Sequence, residues 1–363
     1  MPGPVLFDAT PLTRGHAGRG IGAATRELIR ALAEALPPED RPTLLTITGQ
    51  TAPTGFETHP VTWPHWPSHH IPDPWPALRL EPAIRRLAPR LVHATQPELT
   101  PDGRHTPTIA TCYDLIPLHH PSPNRLQRAA YRHYTRRLQR ATHLIAISHA
   151  TAHTLTADLQ IPPERITVTP LGIPATPPPA GDTPREPYVL YAGSIEPHKN
   201  PRLAIDAIAR TTAGIRLVMT GAWSTRRLER LREHADAVGA AGRIDWLGHV
   251  PAARLGALRR DALACLVPSR MEGFGLPLLE ALAAGTPALA ANIPALRETG
   301  GNAATYLHAD DPDGWARAIE HLANHPGERG GIAHRGRGRA AGFTWERTAR
   351  LTVDAWQTAL ARA

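Results

Sequence analysis

The chain has 363 residues, 42% of them hydrophobic, which supports globular folding and predicts two domains of ordinary size, each with its own core. Forty Lys and Arg against 32 Asp and Glu leave a formal net charge of +8, which suits an anionic ligand or an anionic surface. Aromatics make up only 5%, and no basic run is interleaved with them, which argues against a nucleic-acid partner.

Val5 to Phe7 reads as a short strand, followed by a glycine loop, Arg14 to Gly22 (RGHAGRGIG), and an apolar-periodic helix from about Ala23 to Leu36. Strand, glycine loop and helix form a phosphate-type arrangement, with a plain loop as the alternative. Leu44 to Thr48 and Leu91 to Thr95 are further strands. Between them, Pro60 to Trp75 is rich in Pro, Trp and His, and is either a proline-stiffened surface loop or a flat surface for a sugar or lipid.

Thr108 to Leu118 (TIATCYDLIPL) is a buried strand ending in a polar turn, where Asp114 either binds the hydroxyls of a ligand or caps the strand end. Asn124 to Arg140 is an arginine-dense helix with Leu126, Ala130, Tyr134 and Leu138 on one stripe; it is either a solvated face or a surface for anionic lipid. After the strand His143 to Ser148, His149 and His153 stand four apart on a helix with no third ligand, so they read as an ordinary helix face. Ile166 to Gly172 closes the first half, and PATPPPAGDTPREP, Pro174 to Pro187, has the composition of a semi-rigid linker.

The second half opens with a strand and turn, Tyr188 to Pro201 (YVLYAGSIEPHKNP), which sets Lys199 near a helix start. Lys199 is the only lysine in the chain, and its compact ammonium differs in shape from the guanidiniums elsewhere. Strands at Arg216 to Gly221, Arg243 to Gly248 and Ala264 to Val267 alternate with helices, as a doubly wound parallel sheet requires. Arg270 to Pro287 (RMEGFGLPLLEALAAGTP) then reads as a glycine turn and a helix. Gly273 and Gly275 permit a tight bend, so the N–H groups from Gly273 to Leu276 point at whatever lies over the helix start, most simply a phosphate. Glu272 lies before those amides and Glu280 about one turn in, so the two carboxylates can flank a ligand, one accepting from sugar hydroxyls and the other from a ribose diol. Asp311, Pro312 and Asp313 superficially match a metal-binding acidic motif but read better as an N-cap, a proline at N1 and a first-turn acid. A glycine- and arginine-rich segment, Gly327 to Gly342, precedes a last helix, Thr344 to Arg362.

Cys112 and Cys265 sit in separate apolar segments without metal or redox spacing, so they read as small buried hydrophobes and no disulfide is expected. The sequence MPGPVLFDATPL lacks a basic and a long apolar region, and no stretch approaches eighteen apolar residues. A cytoplasmic protein, at most peripheral on the inner face of a membrane, is expected.

Two glutamates separated by seven residues, with GFG between them and AAGTP after them, resemble the signature of retaining nucleotide-sugar glycosyltransferases of family 4 (group 1), mannosyltransferase-like and of GT-B fold. The resemblance implies two Rossmann-like doubly wound parallel-sheet domains facing a cleft: an acceptor-binding domain over 1–175, a linker over 176–187 and a donor-binding domain over 188–343, with the helix 344–363 packing back on the first. It implies that Glu272 faces the donor sugar, that Gly273, Phe274, Gly275 and Leu276 offer N–H groups to sugar and phosphate, that Glu280 holds the ribose, and that the stretch Gly248 to Val250 contacts the base through its backbone, with a tight turn as the alternative. Lys199 would reach the donor phosphates, while the arginine positions of the family pattern are Ser194 and His198 here, leaving a second cation to Arg19 or Arg270. Gly18, Gly20 and Gly22 would close over the diphosphate. The family's frequent histidine after the fifth strand is Tyr113, next to Asp114, and a tyrosine near its usual pKa can hydrogen-bond but not relay a proton.

The implied reaction moves a hexosyl group, mannosyl favoured and from GDP-mannose, to a hydroxyl on a sugar, a lipid-linked saccharide or a natural product. It would proceed by front-face attack with no protein nucleophile, no metal and no cofactor. The alternatives are a catalytically silent nucleotide-binding or scaffold subunit, and a phosphorylase or sugar-nucleotide epimerase on the same fold.

Overall fold

The computed structural model describes residues 3–12, 20–49, 53–62, 80–101, 105–120, 124–174, 187–212 and 214–363. The chain divides into two compact units, one of residues 1–172 with 344–363 and the other of residues 173–343.

In the first unit, short apolar runs become strands buried on both faces, the environment of a parallel sheet. They are β1 (Val5–Asp8), β2 (Thr43–Ile47), β3 (Thr58–Val61), β4 (Leu91–Ala94), β5 (Thr108–Cys112), β6 (His143–Ala146) and β7 (Ile166–Val168). Among the described residues they form one parallel sheet in the order β3-β2-β1-β4-β5-β6-β7. Pro60 lies inside β3, which the sequence did not resolve from the proline-rich stretch. The strand survives because it is an edge strand, where a missing N–H leaves no central ladder broken. The rest of that stretch, from 63 to 79, is outside the described residues. The helices are α1 (Gly20–Ala35), α2 (Glu81–Leu87), α3 (Ile116–His119), α4 (Arg125–Leu138) and α5 (His149–Leu159). On α4 the inward stripe is Tyr131, Thr135 and Leu138, while Leu126, expected on that stripe, is 63% exposed. Asn124 caps this helix by accepting from the N–H groups of Leu126 and Gln127.

In the second unit, β8 (Tyr188–Ala192), β9 (Arg216–Thr220), β10 (Ile244–Gly248), β11 (Ala264–Val267), β12 (Ala288–Ala291) and β13 (Thr305–Leu307) form a parallel sheet ordered β10-β9-β8-β11-β12-β13. Its helices are α6 (Pro201–Arg210), α7 (Thr225–Ala237), α8 (Ala252–Asp261), α9 (Leu276–Ala284), α10 (Pro294–Gly300), α11 (Pro312–Asn324) and α12 (Pro326–Ala340). The glycine- and arginine-rich segment is therefore helical rather than irregular. Its glycines cost helix propensity, but α12 packs on α9, where a Cβ at Gly336 would lie 3.1 Å from the Leu282 carbonyl oxygen. Close backbone approach outweighs propensity.

The last helix, α13 (Trp345–Ala361), belongs to the first unit and packs on α1. Its anchor is Trp356, whose indole Nε1 donates to Nδ1 of the buried His93 on β4 at 3.0 Å, while His93 Nε2 bonds Thr111 Oγ1 at 2.8 Å. Because Trp only donates, His93 must be neutral with its proton on Nε2, and burial pushes its pKa down to about 3.

In each sheet the strand order reverses once near the middle, between β1 and β4 and between β8 and β11. At such a switch point the loops leave in opposite directions and open a crevice at the carboxyl ends of the strands, where ligands of open α/β sheets bind.

Candidate active site

The crevice of the second unit lies between the loops that follow β8 and β11. After β8 the chain makes a short turn, Pro197–Lys199, and enters α6; after β11 it runs through Ser269 and Glu272 into α9. The two loops meet through side chains. Lys199 Nζ donates to Glu272 Oε2 at 2.7 Å, and Ser269 Oγ donates to Glu272 Oε1 at 2.8 Å. Only 7% of the Glu272 side chain is exposed, against 23% of Lys199, so the ion pair is largely desolvated on the carboxylate side. The backbone holds the loops together as well, since the Arg270 N–H donates to the His198 carbonyl at 2.7 Å. Beneath them the buried Tyr191 donates to the Ser194 carbonyl at 2.6 Å, and burial, reinforced by the Glu272 charge, pushes its phenol well above the usual range.

Gly275 caps α9 with φ +97°, a left-handed conformation that favours glycine, and no side chain caps the helix. A Cβ there would meet Leu296 Cδ2 at 2.5 Å, so glycine is required by crowding as well as by φ. Phe274 is buried, with its carbonyl accepting from Thr299 Oγ1 at 2.6 Å; Gly273 is also buried, and Leu276 begins the helix. Glu280, farther along α9, pairs with Arg259 at the end of α8 and not with the Lys199 cluster. Burial raises the Glu280 pKa, with Arg259 opposing the rise. Thus the structure joins Lys199 and Glu272 directly and holds Glu280, on the helix that follows Glu272, by a separate cation.

The remaining predicted residues lie in separate places. Gly248 has φ +64° and its carbonyl is taken by Gly221 N–H and Thr220 Oγ1, at 2.9 and 2.7 Å, so it forms the tight turn; Val250 follows, buried. Gly20 and Gly22 are not in a loop but in the first turn of α1, which starts three residues earlier than its apolar pattern indicated. Ile21, Thr25, Leu28 and Leu32 continue the helical spacing backwards, and Thr25 Oγ1 bonds the Ile21 carbonyl at 2.9 Å. Gly18 and Arg19 lie outside the described residues, as does the linker over 175–186. The Arg270 guanidinium pairs with Asp310.

In the first unit, Asp114 Oδ1 accepts from the Ile116 N–H at 3.0 Å, the capping role that competed with acceptor binding. Tyr113 is bonded to Thr25 and its pKa is pushed up to about 12 by burial, so its phenol stays neutral. At the switch point of that sheet the buried Asp8 carboxylate accepts from Thr10 Oγ1 at 2.7 Å and Thr95 Oγ1 at 2.6 Å, tying β1 to the end of β4. Asp311 caps α11 through the Gly314 N–H at 2.9 Å, and Asp313 pairs with Arg210 at 3.0 Å. No helix among the described residues is long and apolar enough to cross a membrane.

Sequence reasoning missed Ser269, Tyr191 and Arg259. Ser269 stands three residues before Glu272 and was readable as a turn partner; Arg259 gave no local signal, because α8 and α9 meet only in the folded unit.

Two family models match the chain: Glycosyltransferase Family 4 over residues 18–176 and Glycosyl transferases group 1 over residues 176–339. Similar curated proteins include D-inositol 3-phosphate glycosyltransferase of Rhodococcus jostii, 34% identical over 189 residues, 49% of this chain and 42% of that protein. O-antigen chain mannosyltransferase B of Escherichia coli is 32% identical over 176 residues, 47% of this chain and 45% of that protein. The matches thus span somewhat under half the length of these relatives. Among solved structures, sucrose-phosphate synthase from Thermosynechococcus elongatus superposes with a TM-score of 0.81 at 19% identity, covering 99% of this chain and 100% of that one. Anabaena HepE in complex with UDP-glucose gives 0.73 at 16% identity, covering 97% and 99%. These two likenesses speak to the fold, two parallel doubly wound sheets of GT-B type.

Proposed function

Since the chain belongs to the group 1, family 4 glycosyltransferases, we propose that it transfers a hexosyl group, mannosyl favoured, from a nucleotide diphosphate sugar to a hydroxyl acceptor with retention of configuration. The observation that carries the reading is the junction of Lys199 with Glu272 at the β8/β11 switch point, beside the start of α9, the helix that carries Glu280.

Each group has a task that its chemistry fits. The Lys199 ammonium and the first-turn N–H groups of α9 stabilise negative charge on the departing diphosphate. Glu272 accepts from donor-sugar hydroxyls, and Glu280 from the ribose diol, exchanging Arg259 for the sugar. The acceptor attacks from the face the diphosphate leaves, with a donor phosphate oxygen taking its proton, so the protein supplies position and electrostatics and no nucleophile. Asp114 remains a proposed acceptor contact through its carboxylate. Neither a metal nor a cofactor enters this scheme. Phosphate-dependent turnover or donor isomerisation would instead point to a phosphorylase or epimerase.

The proposed setting is the cytoplasmic face of a membrane, with a lipid-linked or soluble saccharide as acceptor. Supporting it, α4 exposes Arg125, Arg132, Arg136 and Leu126 and carries no acidic residue.

The test is a thermal-shift panel of GDP-, UDP- and dTDP-sugars on the wild type, Lys199→Ala and Glu280→Ala, followed by product analysis with the stabilising donor. A ligand at one hundred times its dissociation constant adds about 2.7 kcal/mol. One nucleotide should stabilise the wild type and lose its effect in both variants; no response to any donor favours the silent-subunit reading.

A further inference from the structure

The Glu272 carboxylate has two oxygens and, in the free chain, two different partners. Oε2 takes Lys199 Nζ at 2.7 Å and Oε1 takes Ser269 Oγ at 2.8 Å. The partners are not equivalent. Lys199 carries a flexible four-carbon stem, is 23% exposed, and sits on the loop after β8, whereas Ser269 is 2% exposed and shares the loop after β11 with Glu272 itself. A hydroxyl three residues away cannot move independently of the carboxylate it holds; the ammonium can.

We propose that Ser269 is a positioning residue that keeps the Glu272 carboxylate in place through an exchange at Oε2, in which Lys199 leaves for the donor diphosphate and a hydroxyl of the donor sugar takes its place. This rests on the function proposed above. In the free chain the Lys199 ammonium occupies the position that the sugar hydroxyl later fills. The diphosphate supplies the stronger anion that draws Lys199 away, and the bond from Ser269 prevents the freed, largely buried carboxylate from swinging after it. Nucleotide and sugar recognition are thereby coupled: Oε2 opens to the sugar only when phosphate has claimed the lysine. Tyr191, bonded to the Ser194 carbonyl at 2.6 Å, holds the other loop fixed, so the exchange needs only the lysine side chain to move.

A role confined to sugar recognition separates from a role in loop structure. Ser269→Ala and Ser269→Thr would be compared with the wild type by calorimetric titration with two pairs of probes, GDP with GDP-mannose and UDP with UDP-glucose. For the pair that binds, Ser269→Ala should keep its nucleoside diphosphate affinity within about twofold. Its nucleotide-sugar affinity should fall about tenfold or more relative to the nucleoside diphosphate, the scale of a lost hydrogen bond to a charged group. Ser269→Thr, which retains the hydroxyl, should restore the wild-type ratio. An unchanged ratio in Ser269→Ala overturns the inference and leaves the transferase reading standing, and an equal loss for both ligands shows a structural role and overturns it as well. If the wild type binds neither pair, the donor-site reading itself fails, and the exchange falls with it.

Discussion

The bond between Trp356 and His93 makes the attachment of the C-terminal helix to the first unit dependent on pH in a calculable way. His93 is fully buried, and its pKa falls from an ordinary value of 6.5 to about 3 because burial penalises the imidazolium. An added proton on Nδ1 would also face the indole N–H, donor against donor. The folded state therefore stays neutral while the unfolded chain takes up a proton as pH drops below about 6.5. The stability tied to His93 is complete above that value, is lost as pH falls, and reaches its full loss near the folded pKa. The slope is about 1.4 kcal/mol per pH unit, so the wild type should lose roughly 1.4 kcal/mol from this group between pH 7.5 and 5.5. Replacing both partners, His93→Leu with Trp356→Phe, removes the titrating group; the Thr111 hydroxyl loses its bond to His93, a cost that is the same at both pH values and cancels in the comparison. Urea unfolding followed by far-UV circular dichroism at the two pH values should show the double variant losing about 1.4 kcal/mol less than the wild type. His143, also buried with its pKa lowered to about 4, is present in both proteins and cancels in the difference. Equal pH dependence in wild type and double variant would refute the reasoning.

Trp356→Phe alone strands Nδ1 of His93 and should cost about 1–3 kcal/mol at pH 7.5 in urea unfolding. Gly275→Ala combines a left-handed φ of +97° with a Cβ 2.5 Å from Leu296, whereas Gly214→Ala has φ +105° and open space around it. Thermal unfolding should show the first destabilised by about 1–3 kcal/mol beyond the second, the cost of overpacking. Reversing Arg132 and Arg136 on α4 to Glu should abolish sedimentation with vesicles containing anionic lipid while leaving thermal stability within about 0.5 kcal/mol; wild-type protein that stays in the supernatant would end the membrane proposal.

What the sequence determined by itself was local and periodic. Apolar runs such as VLF, LVHA and ACLV fixed buried parallel strands, and the glycine turn before Leu276 fixed the start of α9, because a tight left-handed bend tolerates little but glycine. The Asp311 cap was legible for the same reason, since its partner is three residues away. Where competing local signals met, the pattern misled: glycines hid the start of α1 and all of α12, and Pro60 hid an edge strand. The tertiary structure alone decided which polar and charged groups meet. Lys199 and Glu272 are 73 residues apart, Arg259 and Glu280 are 21 apart, and His93 and Trp356 are 263 apart. Side-chain pairing across elements depends on strand order and helix rotation, and both are set by burial over the whole unit.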